Sequence, residues 1–230
     1  LIIRRSSLVF KDRLEAGELL AGQLGLYAGD NPLWLAIPRG GVAVAFPIWK
    51  RWGGELDLLI TRKIGAPGQP ELAVGAVSSD GTVILNDRLV KTLQIPRTYL
   101  HRSVEETRQE IKRRMDLYRG NRLPPEVKGR TIIVVDDGVA TGFTLLSALK
   151  GLRQKQPRKL VLAVPVGPPE TLEMLKSEVD HLIFFSAPSY FTAVGQFYRE
   201  FDQVRDEQVL AWLHQAWSGE RSPFREENCR

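Results

Sequence analysis

The 230-residue chain has a single cysteine, Cys229, next to its last residue. A lone thiol there has no partner within the chain and is poorly placed against a base held in a core. Disulfide scaffolds, cysteine zinc sites and thiol catalysis are therefore excluded together. Histidine is almost as scarce. His101, His181 and His214 are too far apart in sequence to form a ligand pair on one helix, so a metal site made of protein ligands alone is not expected. No apolar run approaches the roughly 20 residues that cross a bilayer. Near the start, Arg4 and Arg5 are followed only by Leu8, Val9 and Phe10 before the charged Lys11-Asp12-Arg13. The expectation is a protein of a reducing, cytoplasmic compartment with no membrane contact. Internal repeats and long linkers are missing as well.

What is present fits a globular protein: 43% hydrophobic and 26% charged residues, with 20 glycines and 14 prolines. The expectation is one domain over residues 1–217, with a core at about 28–186, and a polar tail at 218–230. The 32 basic and 27 acidic residues leave a net charge of +5. That excess suits anionic partners, phosphorylated metabolites or nucleic acid, without choosing between them.

Apolar spacing predicts a helix from Lys11 to Leu26 behind an Asp12 cap, then a strand at Leu33–Ile37, a tight loop Pro38-Arg39-Gly40-Gly41 and a helix to Trp52. Leu56–Ile60 reads as a second buried strand closed by Thr61-Arg62-Lys63. Gly65–Pro70 reads as a flexible loop, and Leu72–Val77 with Val83–Leu85 as a hairpin around Asp80-Gly81. A long helix of mixed charge follows from Arg97 to Arg119, which reads as a solvated face rather than a nucleic-acid face. The remaining elements are strands at Thr131–Val135, Leu160–Val166 and Leu182–Phe185, and helices at Phe143–Lys155 and Pro169–Ser177. Strands alternating with helices in this way imply an α/β fold, a doubly wound, mostly parallel sheet with flanking helices. Ligands of such sheets bind beyond the C-terminal ends of the strands, where the loops 38–41, 62–70 and 136–144 fall.

The segment Val134-Val135-Asp136-Asp137-Gly138-Val139-Ala140-Thr141-Gly142-Phe143-Thr144 carries the chemistry. A buried strand delivers two adjacent carboxylates, and small residues and hydroxyls then open a helix. Amide N–H groups at a helix N-terminus and in a glycine turn bind a phosphate, with Thr141 and Thr144 as further donors. The carboxylates would repel that phosphate, so they suit a diol or a water-bridged Mg²⁺. A sugar phosphate satisfies both halves. A lysine after Gly142, a strand running into GxGxxG and a GxSxG elbow are all missing, which removes Walker, dinucleotide and α/β-hydrolase readings. Asp136 and Asp137 as mere helix caps, and Arg39 and Lys63 as surface cations, are the plainer alternatives.

Val134–Thr144 resembles the phosphoribosyl pyrophosphate (PRPP) signature of the type I phosphoribosyltransferases. Pro38-Arg39-Gly40-Gly41 is placed like that family's pyrophosphate loop, and Arg62-Lys63-Ile64-Gly65 is similar to the adenine phosphoribosyltransferases. The resemblance implies a type I fold with a β-hairpin lid at Arg62–Val77 and a small hood made of the N-terminal segment and about 187–217. It implies PRPP bound by Asp136, Asp137, Gly138, Val139, Ala140, Thr141, Gly142, Phe143 and Thr144, and pyrophosphate bound by Arg39, Gly40, Gly41, Arg62 and Lys63. Mg²⁺ would arrive with PRPP, with Asp136 and Asp137 reaching it through water and no direct protein ligand assigned. A cis or strained peptide at Pro38-Arg39-Gly40 and a homodimer are implied as well.

Asp137, Lys63 and Glu71 are the catalytic candidates, Glu71 being the one carboxylate within the lid; its plainer reading is a solvated loop residue. Pro165, Val166, Tyr190 and Phe191 are the acceptor-binding candidates, the aromatics by stacking on a planar base and otherwise by core packing. The chain departs from the 6-oxopurine enzymes, which carry an acid at the position of Ala140. The function expected is Mg²⁺-dependent transfer from PRPP to a nitrogenous acceptor such as a nucleobase. The alternatives are a PRPP sensor that binds nucleic acid, supported by the basic helix, and a nucleotide phosphorylase or hydrolase using the same crevice.

Overall fold

The computed structural model describes residues 8–79 and 81–219, and of Glu71 the backbone only. Asp80, Cys229 and most of the expected polar tail lie outside the described residues. The strands are β1 (Leu33–Ala36), β2 (Glu55–Leu58), β3 (Thr61–Ala66), β4 (Gln69–Ser78), β5 (Val83–Leu85), β6 (Thr131–Val135), β7 (Lys159–Ala163) and β8 (His181–Ile183). The helices are α1 (Arg13–Leu24), α2 (Gly40–Trp52), α3 (Asp87–Thr92), α4 (Arg97–Arg119), α5 (Phe143–Gln154), α6 (Pro169–Lys176) and α7 (Asp206–Ser218).

Five strands form a parallel sheet in the order β2-β1-β6-β7-β8. Alternate residues of each strand point to opposite faces, so the two apolar cores divide them. Trp34, Ala36, Ile133, Val135, Val161 and Ala163 belong to the core shared with α1, α2 and α7. Leu33, Leu35, Ile132, Val134, Leu160 and Leu162 belong to the core shared with α5 and α6. Continuous apolar strands in the sequence thus become strands buried on both faces, as a doubly wound sheet requires.

Asp12 caps α1 by accepting from the Glu15 amide at 2.9 Å, as its position predicts. The two segments expected to make the hood meet at Phe10 and 197–199. Phe10 N–H donates to Phe197 O at 2.8 Å, Arg199 N–H donates to Phe10 O at 2.9 Å, and the Phe10 ring lies 5.3 Å from that of Tyr198.

The segment read as a loop at 65–70 needs correction. Arg62 and Lys63 do not end a strand but lie within one: β3, β4 and β5 make a separate antiparallel sheet with the turn at Pro67-Gly68. Its root is not a free lid. Ile64, Val74 and Val77 are in the core with Leu100 and Ile111 of α4, and Ser147 Oγ of α5 donates to Ala76 O at 3.3 Å. The tip, 67–70, is exposed, as are Lys63 and Leu72 beside it. The expected strand at 160–166 likewise ends at Ala163, with Val166 making an isolated bridge to Ser186.

Candidate active site

Three loops leave the same end of neighbouring strands. β1 runs between β2 and β6, with Ala36 beside Leu58 on one side and Val135 on the other. The chain therefore delivers residues 59–63, 38–41 and 136–144 side by side at the point where the strand order reverses, the place at which open α/β sheets bind ligands. Ile37 N–H donates to Val135 O at 2.9 Å and fixes the first loop to the third. The Pro38–Arg39 peptide is cis.

The fit between these loops depends on Gly40, where a Cβ would lie only 1.9 Å from Asp137 Oδ2. Asp137 is held from several sides. Arg13, the first residue of α1, donates from Nε to Asp137 Oδ2 at 2.7 Å. The Tyr198 hydroxyl donates to Asp137 O at 2.6 Å, and the Asp137 amide donates to Asp136 Oδ1 at 2.8 Å. Burial raises both carboxyls above their ordinary range, Asp136 furthest because the neighbouring Asp137 charge adds to it, while Arg13 opposes the rise at Asp137. Burial also raises the Tyr198 phenol, so it remains a donor at neutral pH.

From Asp137 the loop crosses to the start of α5. Val139 N–H donates to Val166 O at 2.9 Å and Thr171 Oγ1 donates to Ala140 O at 2.7 Å, so the loop is strapped to the β7–α6 connection. Ala140, Thr141 and Phe143 are left exposed. Thr144 then lines a cleft of about 560 Å³ with Thr61, Arg62, Lys63, Gly65, Pro70 and Arg114. The last residue of the 136–144 loop and the Arg62-Lys63 pair thus share one cavity. Thr61 brings a buried hydroxyl with no hydrogen-bond partner among the described residues.

Glu110 organises the cations of this cleft. Arg62 reaches it at 2.9 Å, Arg113 at 2.9 Å and Arg114 at 3.2 Å. Bonds from Arg113 and Arg114, with the Arg62 charge behind them, hold the Glu110 carboxyl down at about 2. Arg39 instead turns toward Asp206 of α7, 3.7 Å away, and Asp206 also accepts from the Tyr118 hydroxyl.

Pro165 and Val166 sit on the strand-end connection, where the Val166 carbonyl holds the loop, and both are buried. The aromatics do not join them. Tyr190 is 81% exposed and the Phe191 ring stacks on Phe197 at 5.3 Å. Val194 reaches the loop instead: a Cβ at Gly138 would lie 2.6 Å from Val194 Cγ1. Glu71 lies in β4, and its side chain is outside the described residues. Sequence reasoning missed Arg13, Arg114 and Asp206, and placed Tyr198 only among the hood aromatics; their proximity to the site is created by folding alone.

A family model described as the phosphoribosyl transferase domain matches residues 12–194. The chain belongs to this family, an enzyme class, and carries its transferase domain. A crystal structure, that of TT1426 from Thermus thermophilus, is 42% identical and superposes with a TM-score of 0.77 over 90% of this chain and 98% of that one. A protein of Mycobacterium tuberculosis, named provisionally as a phosphoribosyl transferase, is 38% identical over 208 residues, 90% of this chain and 47% of its own length. The chain spans about half the length of the curated relatives it matches.

Proposed function

We propose that the domain transfers a phosphoribosyl group from PRPP to a nitrogenous acceptor, with Mg²⁺ bound alongside the substrate and pyrophosphate released. The observation that carries this reading is the shared cavity, in which the end of the carboxylate–phosphate loop, at Thr144, faces the cations Arg62, Lys63 and Arg114. Such a site suits an anion larger than a single phosphate.

In this reading the amides and hydroxyls of 138–144 hold the 5′-phosphate at the start of α5. Asp136 and Asp137 accept from the ribose hydroxyls, while Arg39, Arg62, Lys63 and Arg114 receive the diphosphate. The C1–O bond to the diphosphate breaks, the acceptor nitrogen bonds to C1 and gives up its N–H proton to solvent, and the electron pair leaves on pyrophosphate. Because positive charge grows on the sugar and negative charge on the leaving group, preorganised charges lower the barrier more than any single acid or base. The tip of the β3–β4 hairpin is free to cover the sugar against water, while its packed root keeps Arg62 and Lys63 in register.

Among the described residues no group of three or more His, Cys, Asp or Glu side chains is placed to hold a metal ion. A pair of adjacent carboxylates beside a diphosphate site nonetheless fits Mg²⁺, whose remaining ligands would be substrate oxygens and water. When bound, the ion would neutralise charge on the diphosphate.

Exposed Ala140 offers no carboxylate to a purine N7, which argues against a 6-oxopurine acceptor. The nucleic-acid alternative has less behind it on α4, where Arg102, Arg108, Arg113, Arg114 and Arg119 each have an acidic neighbour. The test is pyrophosphate release from PRPP and Mg²⁺ against a panel of purines, pyrimidines and other nitrogen heterocycles. Acceptor-dependent release, lost in Asp136→Ala, is expected; no release with any acceptor would contradict the proposal.

A further inference from the structure

We infer that Arg13 is a positioning residue: it fixes the Asp137 carboxylate for the sugar hydroxyls and ties it to the hood. The inference rests on the proposed PRPP site and adds to it a residue lying 124 positions away in sequence.

The guanidinium makes three different contacts at once. Nε donates to Asp137 Oδ2 at 2.7 Å, Nη1 donates to Asp202 O at 2.8 Å, and its plane covers the Phe201 ring at 3.7 Å. The Arg13 side chain is 11% exposed and that of Asp137 is 15% exposed. Withdrawing both ions from water is costly unless the geometry is well matched, so this pair is not an ordinary surface bridge. Nor does α1 need Arg13 for its own start, because Asp12 supplies the cap.

Asp137 is consequently fixed at two points by the same hood segment, its carboxylate through Arg13 and its carbonyl through Tyr198. Arg13 uses one direction at Oδ2. The Asp136 carboxyl meets the Asp137 group as well; a carboxylate has about four acceptor directions, so those left over serve a diol whose approach is now defined. Lysine could supply the charge but not the fork or the planar stacking face.

Ribose 5-phosphate needs Asp137, whereas pyrophosphate needs only the cations across the cleft, and this difference separates positioning from general support of the fold. Wild type, Arg13→Gln and Arg13→Lys would be titrated calorimetrically with ribose 5-phosphate, with Mg²⁺ and PRPP, and with Mg²⁺ and pyrophosphate. Arg13→Gln is expected to weaken ribose 5-phosphate and PRPP by about ten- to a hundredfold, the scale of a lost hydrogen bond to a charged group. Pyrophosphate should stay within about a factor of two. Arg13→Lys should recover part of the loss. Phe201→Leu, which keeps every charge and removes the ring, should weaken ribose 5-phosphate in the same direction by a smaller factor, and it keeps the test decisive should Arg13→Gln fail to fold. Equal weakening of all three ligands, or no weakening at all, would overturn the inference while leaving the PRPP site standing. A wild type that binds none of the three would instead remove the site, and the inference with it.

Discussion

A methyl group at Gly40 would lie 1.9 Å from Asp137 Oδ2 and 3.0 Å from Arg13 Nε, so the residue that begins α2 leaves space for the site's ion pair. Gly40→Ala must push the carboxylate aside. It is expected to weaken PRPP binding at least tenfold, read by calorimetry, because it breaks a charge-assisted hydrogen bond at a partly buried site. A second residue-level expectation concerns Glu110, whose carboxyl is held at about 2 against an ordinary 4.5. The folded protein releases that proton more readily than the unfolded chain. The ion pairs therefore contribute fully above about 4.5 and are lost as pH falls from there toward 2. In urea titrations the stability difference between wild type and Glu110→Gln should be constant near neutral pH and shrink as pH falls through this window; a difference independent of pH would contradict it. Individual residues were legible where the chemistry is local. Asp136, Asp137 and Thr144 stand in one run, so their strand–loop–helix setting is written in order. Arg13 and Tyr198 are not legible, because no local spacing reveals contacts made across 124 and 61 positions.

At the scale of elements, α4 is anchored to the sheet by Arg119 on Asp57 of β2 at 2.7 Å, with side chains 8% and 1% exposed. Burial raises the Asp57 carboxyl, and Arg119 offsets that rise in part. Asp57→Ala leaves the arginine unpaired in a dry setting and should cost about 3–5 kcal/mol in urea denaturation. Replacing both partners, Asp57→Leu with Arg119→Met, should cost less than Asp57→Ala alone, since no uncompensated charge remains. The bounds of β6 and α4 agree with the sequence reading, since a run of β-branched residues and a long charged helix between Pro96 and Gly120 are each unambiguous. β3 was hidden for the opposite reason. Thr61, Arg62 and Lys63 are polar and Gly65 and Pro67 punctuate the run, so its buried positions, Ile64 and Ala66, are too few to show an alternation. The strand is held by its partner β4, a pairing that local propensity does not record.

Over the whole molecule, the net charge of +5 acquires meaning only through its arrangement. Most arginines of α4 are paired on the helix itself or with the sheet, and Glu110 draws two of its cations, Arg62 and Arg114, to one cleft with Lys63 beside Thr144. The parallel sheet supplies that juxtaposition by ending β2, β1 and β6 on one edge. Contacts of Phe10 and Arg13 with segment 197–202 then join the early and late parts of the chain beside it. The central claim is that this edge is a PRPP site, and calorimetric titration of PRPP with and without Mg²⁺ tests it most directly, with Asp136→Ala as the control. Saturable binding that requires Mg²⁺ and is abolished in the variant is expected. Absence of binding, or binding that Asp136→Ala leaves unchanged, would contradict it.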